Sequence, residues 1–386
     1  MREGVLFEIT KDCLETGLRG MPVGYCVTSF VDPQKGLTYV GRPIASLVSK
    51  DPIELIYLLY HGDLGSKEQL HKFQAELSKR GHCKPETLRA IESLPRAGQA
   101  MDGFAAAILL AGMFEGTGNY REDCLNVIAK LPQITAALIN RHAGWGETPA
   151  SKPELGYIEN FVHMLNLPAA KTPELIQVMR LFNVLSYDHD GGNLSAFVGK
   201  AVASGLENLY GSLAASMTAL AGPRHGRANQ DSLEFVQKVL SEVGANASAQ
   251  DVEKLIRQKL DKKELVFGFG HAVLRVEDPR ATVCYNYCQK HFPHHPLVKT
   301  ALLLRTEGSR VLKENPKISD PYANIDAITG AMLMAGGFSY PDYFTVLFGL
   351  SRCVGIAIQI VYERMEAREG KGTPIVRPLY LCKTRK

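Results

Sequence analysis

From Pro341 to about Met365 the chain is apolar nearly all round, and this stretch limits the folds open to it. A helix without a polar face must be buried on every side, so it has to run through the middle of a large core. It needs other helices around it. Asp51-Pro52 opens a segment with Ile53, Ile56, Leu59 and Tyr60 on one side, and Gly62 closes it: a cap, a first-turn proline and a glycine stop. Ser248-Ala-Gln-Asp251 has the form of a capping box, and Val252, Leu255, Ile256 and Leu260 follow at helical spacing. Leu233, Val236, Leu240 and Val243 repeat that pattern. Strand signals are few: Gly24 to Val31, then Leu37 to Val40, across an Asp32-Pro33 turn, which predicts an N-terminal β-hairpin. With no repeats, no low-complexity stretch and no strand–helix alternation, the pattern predicts an all-α fold.

At 386 residues the chain is too long for one small domain and should form two that share a continuous interior. Its 45% hydrophobic and 22% charged residues are the balance of a soluble globular protein, not a disordered one. The net charge of +4 is small and spread out. It calls for no nucleic acid and suits anionic substrates equally well. No apolar run reaches the roughly 18 residues needed to span a bilayer, so no membrane segment is expected. The N-terminal MREGVLFEIT carries early acidic residues and lacks the apolar stretch of a secretion signal. Eight cysteines in so long a chain do not read as a disulfide framework, and Cys284 and Cys288 share a helix face instead of forming a CxxC pair. Reduced thiols imply cytoplasm or an organelle matrix, which makes the sequons at Asn193-Leu-Ser195 and Asn246-Ala-Ser248 chance matches.

Four segments do not look like helix filler: Tyr187-Asp-His189-Asp-Gly-Gly-Asn193, Gly222-Pro-Arg-His225-Gly-Arg-Ala-Asn229, Gly268-Phe-Gly-His271 through Asp278-Pro-Arg280, and Asn324-Ile-Asp326. In three of them a histidine sits beside glycines, where backbone can turn tightly and approach a ligand. Any one such histidine is more often a turn cap than a catalyst. Three of them together with an isolated aspartate are harder to dismiss. Metal binding is a weaker reading, since none of these residues shows the i, i+4 spacing of a helix-borne zinc pair. His291, His294 and His295 stand among Phe292, Pro293 and Pro296 and read as a solvated loop. Gly268-Phe-Gly270 lacks the third glycine of a dinucleotide fingerprint, and no GxxxxGK occurs.

In order and rough spacing, these segments resemble the citrate synthase family, closest to its eukaryotic-type dimeric branch. Tyr343-Phe-Thr-Val-Leu-Phe-Gly-Leu-Ser-Arg352 adds to the match, which runs from Gly17-Leu-Arg-Gly20 to Arg377-Pro378. The resemblance implies a two-domain helical fold. A large domain of residues 1–222 and 333–386 would carry the dimer interface, and a smaller mobile one of 223–332 would carry the CoA-binding and catalytic residues. It also implies condensation of acetyl-CoA with oxaloacetate to citryl-CoA, then hydrolysis to citrate, with no metal or other cofactor. Asp326 would be the base, His225 the donor to the thioester oxygen, and His271 the group that polarises the oxaloacetate carbonyl. His189, Asn193, Arg280, Arg352 and Arg377 would hold the dicarboxylate, Arg377 from the partner subunit of a homodimer. Gly268 and Gly270, Arg275 and Arg19 would serve CoA. For Arg352, on a buried helix, an internal salt bridge is the competing reading. His225 just precedes the helix of Leu233, and the positive end of that helix should disfavour imidazolium.

The sequence also departs from the family. Arg227 stands where relatives carry a small or apolar residue, and no arginine near Met113 replaces a CoA-contacting one. The N-terminal extension of eukaryotic members is missing, so a transit peptide is expected to have been removed or never to have existed. A 2-methylcitrate synthase using propionyl-CoA would carry the same motifs, because one methylene is worth only about 1–3 kcal/mol. A metal-dependent hydrolase or a silent CoA-binding regulator are the readings from other classes.

Overall fold

The computed structural model describes residues 9–382, so the first eight residues of the MREGVLFEIT stretch lie outside it. Helices dominate, as the patterning requires. The first group is α1 (Pro52–His61), α2 (Lys67–Arg80), α3 (Pro85–Glu92), α4 (Ala100–Glu115) and α5 (Tyr120–Ala143). Then come α6 (Tyr157–Met164), α7 (Pro173–Ser186), α8 (Leu194–Ser204) and α9 (Leu209–Leu220). A second group holds α10 (Ala228–Val243), α11 (Ala249–Asp261), α12 (Pro279–His291), α13 (Pro296–Leu312) and α14 (Asp326–Ala335). Last is α15 (Phe344–Val361), which runs into a π-helical turn at Tyr362–Glu366.

The local signals formed what their chemistry dictates. The Asp51 carboxylate accepts from the Ile53 N–H, and Gly62 closes α1 at φ +81°, where a side chain would be strained. Ser248 and Asp251 form the reciprocal capping box of α11. α15 is the central helix: its residues from Phe344 to Val361 are buried except Phe348, and it packs on α1, α4, α5, α7, α8, α9 and α10. The helical stretch Pro341–Glu366 is long and apolar enough to cross a membrane, contrary to the expectation from run length, but nearly all of it lies buried inside the protein. It is a core helix.

The hairpin is shorter than expected. β1 (Ser29–Asp32) pairs antiparallel with β2 (Gly36–Tyr39), Ser29 opposite Tyr39, and a two-residue β3 (Arg42–Pro43) adds an unforeseen third strand. Val40 ends β2 because its φ is +46°, and residues 24–28 lie outside the ladder. The turn is fixed by Asp32, whose carboxylate accepts the N–H groups of Gln34 and Lys35. It also braces the loop leading into α12: the Pro33 carbonyl accepts the Arg275 N–H, and a Cβ on Gly36 would lie 2.4 Å from Pro279.

α10, α11, α13 and α14 pack mainly on one another, with α12 against α14 and α13. This group meets the rest of the fold through α7, α15, β2 and the short 3-10 turn Ile44–Ser46. The expected boundary at residue 332 falls inside α14, a continuous helix.

Candidate active site

The turn of residues 187–193 links α7 to α8 and carries His189. It lies on α15 at Gly355, whose N–H bonds the Tyr187 carbonyl and whose Cβ, if present, would sit 2.4 Å from that oxygen. A glycine is required there to bring the turn this close. Three residues before Gly355 on the same helix stands Arg352, which is 1% exposed. Its Nε–H donates to the Ser186 carbonyl at 3.0 Å and its guanidinium stacks over Phe348 at 4.7 Å. Its Nη1 is buried with no partner, and among the described residues Arg352 forms no ion pair. The internal salt bridge offered as its competing reading is therefore not made.

The loop that carries His271 is laced to the segment ahead of α14. The Asn324 N–H bonds the Gly268 carbonyl, the Asn324 amide bonds the Gly270 carbonyl, and the Gly270 N–H bonds the Tyr322 carbonyl. Gly268 and Gly270 have φ of +82° and +84°, and a Cβ on Gly268 would meet Ala327 at 2.8 Å. These glycines thus let the His271 loop lie against Asp326, the first residue of α14. The Asn324 side chain also caps the Asp326 N–H.

Hydrogen bonds fix which face of each imidazole is free. His271 Nδ1 accepts the N–H groups of Val273 and Leu274, both at 3.0 Å, so its proton is on Nε2. His225 Nε2 accepts the Ser195 N–H at 3.3 Å and sits 2.9 Å from the Ser195 hydroxyl, so its proton is on Nδ1. The Ser195 hydroxyl lies 2.8 Å from Asn193 Oδ1, which is how Asn193 joins the site. Each histidine presents one free N–H.

Burial sets the protonation states. It lowers His225 and His271 to about 4, helped by Arg352 for the first and Arg280 for the second. The helix end invoked for His225 gives the right direction, but burial and Arg352 are the operative causes. His189 is pushed well below its ordinary value by burial, Arg280, Arg352 and His271, its ring centroid 5.3 Å from that of His271. Burial raises Asp326 to about 6 against the opposing pull of Arg280 and Arg352. Both guanidiniums act on His189 and Asp326, Arg352 also on His225 and Arg280 also on His271, which draws these six residues into one cluster. Arg280 differs from Arg352 in having a partner: its Nε and Nη2 fork onto Asp278, the cap of α12.

Other expected residues lie apart. Arg275 curls back onto the carbonyls of His271, Val273 and Leu274. Arg19 and Arg377 are exposed, Arg377 on the extended tail beyond the π-turn. Arg227 is exposed and pairs with Asp231. His291, His294 and His295 form no metal cluster, nor does any other His, Cys, Asp and Glu group among the described residues.

The sequence pattern of the citrate synthase C-terminal domain matches residues 17–379. The chain belongs to the citrate synthase family. It is 34% identical over 383 residues to citrate synthase 4, mitochondrial, of Arabidopsis thaliana, which covers 93% of this chain and 80% of that protein. It is 33% identical over 397 residues to the mitochondrial citrate synthase of Daucus carota, which covers 97% and 82%. The citrate synthase structure from Thermotoga maritima MSB8 superposes with a TM-score of 0.80 at 25% identity, over 96% of each chain. The Thermoplasma acidophilum enzyme, solved as a ternary complex with carboxymethyl coenzyme A and oxaloacetate, gives 0.82 at 24% identity, over 96% and 97%.

Sequence reading missed Ser195, Asp278 and Asn324 as supports within this candidate site. All three stand in or beside the family motifs, but what each one holds depends on the fold.

Proposed function

We propose that citrate synthase activity in this chain runs through this buried cluster, with oxaloacetate held by His189, Arg280 and Arg352, and Arg377 supplied by a partner subunit. The observation that carries this reading is the buried, unpaired Nη1 of Arg352. A carboxylate is the group a planar guanidinium fork pairs with best. Asp326 takes a proton from the acetyl methyl while His225 Nδ1–H donates to the thioester oxygen. The enol attacks the oxaloacetate ketone carbon. His271 Nε2–H supplies the proton to the new alkoxide, and the proton that Asp326 took from the methyl returns to His271, so citryl-CoA forms with no net gain or loss of protons. Water then cleaves the thioester, releasing citrate and the CoA thiol. The chemistry balances with water alone and needs no metal or prosthetic group. An Asp326 pKa near 6 keeps the carboxylate ionised at neutral pH yet more basic than an exposed one.

α10 to α14, residues 223–332 in outline, are proposed to close over bound oxaloacetate before acetyl-CoA reacts, keeping water out. Arg275 would then uncurl toward the CoA phosphates, with Arg19 nearby and Gly268 and Gly270 letting backbone approach. Support for a homodimer comes from Leu109 and Met113, exposed one turn apart on α4, and from the exposed Leu379, Tyr380 and Leu381 of the tail. Eight free cysteines suit a reducing compartment, cytoplasm or organelle matrix.

The test is release of CoA thiol from acetyl-CoA and oxaloacetate. kcat/KM should be higher with acetyl-CoA than with propionyl-CoA, and Asp326→Asn and His271→Ala should each lower kcat by at least about 10²-fold without unfolding. Activity within a few-fold of wild type in either variant would reject the assignment. For Arg377, coexpressed Asp326→Ala and Arg377→Ala subunits should regain roughly a quarter of wild-type sites. No recovery in confirmed heterodimers would place Arg377 in its own subunit's site.

A further inference from the structure

Asp188 immediately precedes His189, is 0% exposed, and has no part in the proposed reaction. Its carboxylate is surrounded by donors. Oδ2 accepts the Thr28 and Ser29 hydroxyls, the latter at 2.8 Å. Oδ1 accepts Gln359 Nε2 at 2.7 Å and the His189 N–H at 3.0 Å. The same donors reach past it: the Ser29 hydroxyl accepts the Asp190 N–H at 2.7 Å, and Gln359 donates to the Asp190 carbonyl at 3.1 Å. Behind it, the Asp188 N–H bonds the Tyr39 hydroxyl, which donates to the Val184 carbonyl. Asp190 is held at φ +55°, unusual for a residue with a side chain.

The side-chain donors come from Thr28 and the first residue of β1, and from α15, all more than 150 residues away along the chain. On α15, Arg352, Gly355 and Gln359 recur every three to four residues and so share one stripe. Gly355 and Gln359 both grip the His189 turn, and Arg352 heads the same stripe. The backbone on either side of His189 is therefore tied to the helix that carries the unpaired arginine.

We propose that Asp188 is a positioning residue for oxaloacetate: it touches no substrate, but it fixes His189 against Arg352 so that both ligands are set before the dicarboxylate arrives. Preorganisation of this kind appears as affinity, because ordering the ligands is no longer charged to binding. The inference rests on the reading of His189 and Arg352 as oxaloacetate ligands. Asp188→Asn keeps the shape but turns an amide N–H₂ toward donors. Ser29→Ala removes one hydroxyl that holds both Asp188 and Asp190.

The experiment measures KM for oxaloacetate and for acetyl-CoA, with Tm by calorimetry, in both variants of the full-length protein. Asp188→Asn should raise KM for oxaloacetate by at least about tenfold, Ser29→Ala by about threefold, with KM for acetyl-CoA moving less than about threefold. KM for oxaloacetate within about twofold of wild type in both variants overturns the proposal, whatever happens to Tm. Equal rises in both KM values also overturn it, since they report general disruption. If Asp188→Asn does not fold, Ser29→Ala decides alone. His189→Ala is the control: should it leave KM for oxaloacetate unchanged, the ligand assignment fails and this inference goes with it. A normal response of His189→Ala beside unresponsive Asp188 and Ser29 variants rejects the positioning role only.

Discussion

Two buried arginines meet the interior on different terms. Arg280, in the first turn of α12, is 4% exposed and forks onto Asp278, so the pair carries no net charge. Arg352, in the middle of α15, is 1% exposed and has one carbonyl, one aromatic ring and no counter-ion in contact. Burial lowers Arg352 to about 10, which still leaves it charged at neutral pH. The difference teaches where the pull on an anion comes from. An arginine already neutralised can orient a carboxylate, whereas an unneutralised one is stabilised by its arrival. It also predicts opposite effects on stability, because removing one partner of a buried pair costs about 3–5 kcal/mol, while removing an unpaired buried charge need cost nothing.

The largest effect should come from Arg352→Met: a loss of at least about 10³-fold in kcat/KM, with Tm unchanged or raised. Arg280→Met should also lose activity, by about 10²-fold or more, but with a fall in Tm because Asp278 is left buried and unpaired. Thermal unfolding of the two variants side by side checks this, and equal losses of stability would erase the contrast.

The next effect sharpens the comparison at Asp326, on which both arginines act. Its carboxyl titrates near 6 in the folded protein against an ordinary 3.8. Activity should therefore be present above pH 6 and fall as pH drops through it. Over that range His225 and His271, at about 4, stay neutral. The stability effect has the opposite sign: a carboxyl with a raised pKa disfavours the folded state above pH 6, and this penalty disappears as pH falls toward 3.8. Asp326→Asn should thus be more stable than wild type at pH 7 by on the order of 1–3 kcal/mol, with the gap closing at low pH. Denaturant titrations at several pH values measure it.

The smallest effect is expected at Arg227, exposed and paired with Asp231. As an arginine outside both buried sites, it should change KM for acetyl-CoA by less than about twofold when mutated to Ala, even at low salt.

Much of this architecture was legible in the sequence because it rests on local chemistry. The caps of α1 and α11 need only a few adjacent residues to specify them, and the burial of α15 only its own continuous apolar stretch. The hairpin was legible in outline, but Val40 adopts a conformation its residue type does not announce. The π-turn at Tyr362–Glu366 is equally silent, since it is held by the Thr373 N–H bonding the Glu363 carbonyl and by Arg364 reaching Thr373. At the site, motifs gave the residues but not their partners. Whether Arg352 has a counter-ion, or which nitrogen of His225 is free, depends on contacts made across the fold.

On the proposed function, Arg352 is kept unpaired for a carboxylate, and the direct measurement of this is the shift in Tm that oxaloacetate causes, without acetyl-CoA, in wild type and in Arg352→Met. A ligand at 100 times its Kd adds about 2.7 kcal/mol to folded-state stability. Wild type should show a rise in Tm that grows with oxaloacetate concentration, and Arg352→Met should show almost none over the same range. An equal rise in both proteins would mean that oxaloacetate binding does not depend on Arg352, and would contradict its role as the waiting partner.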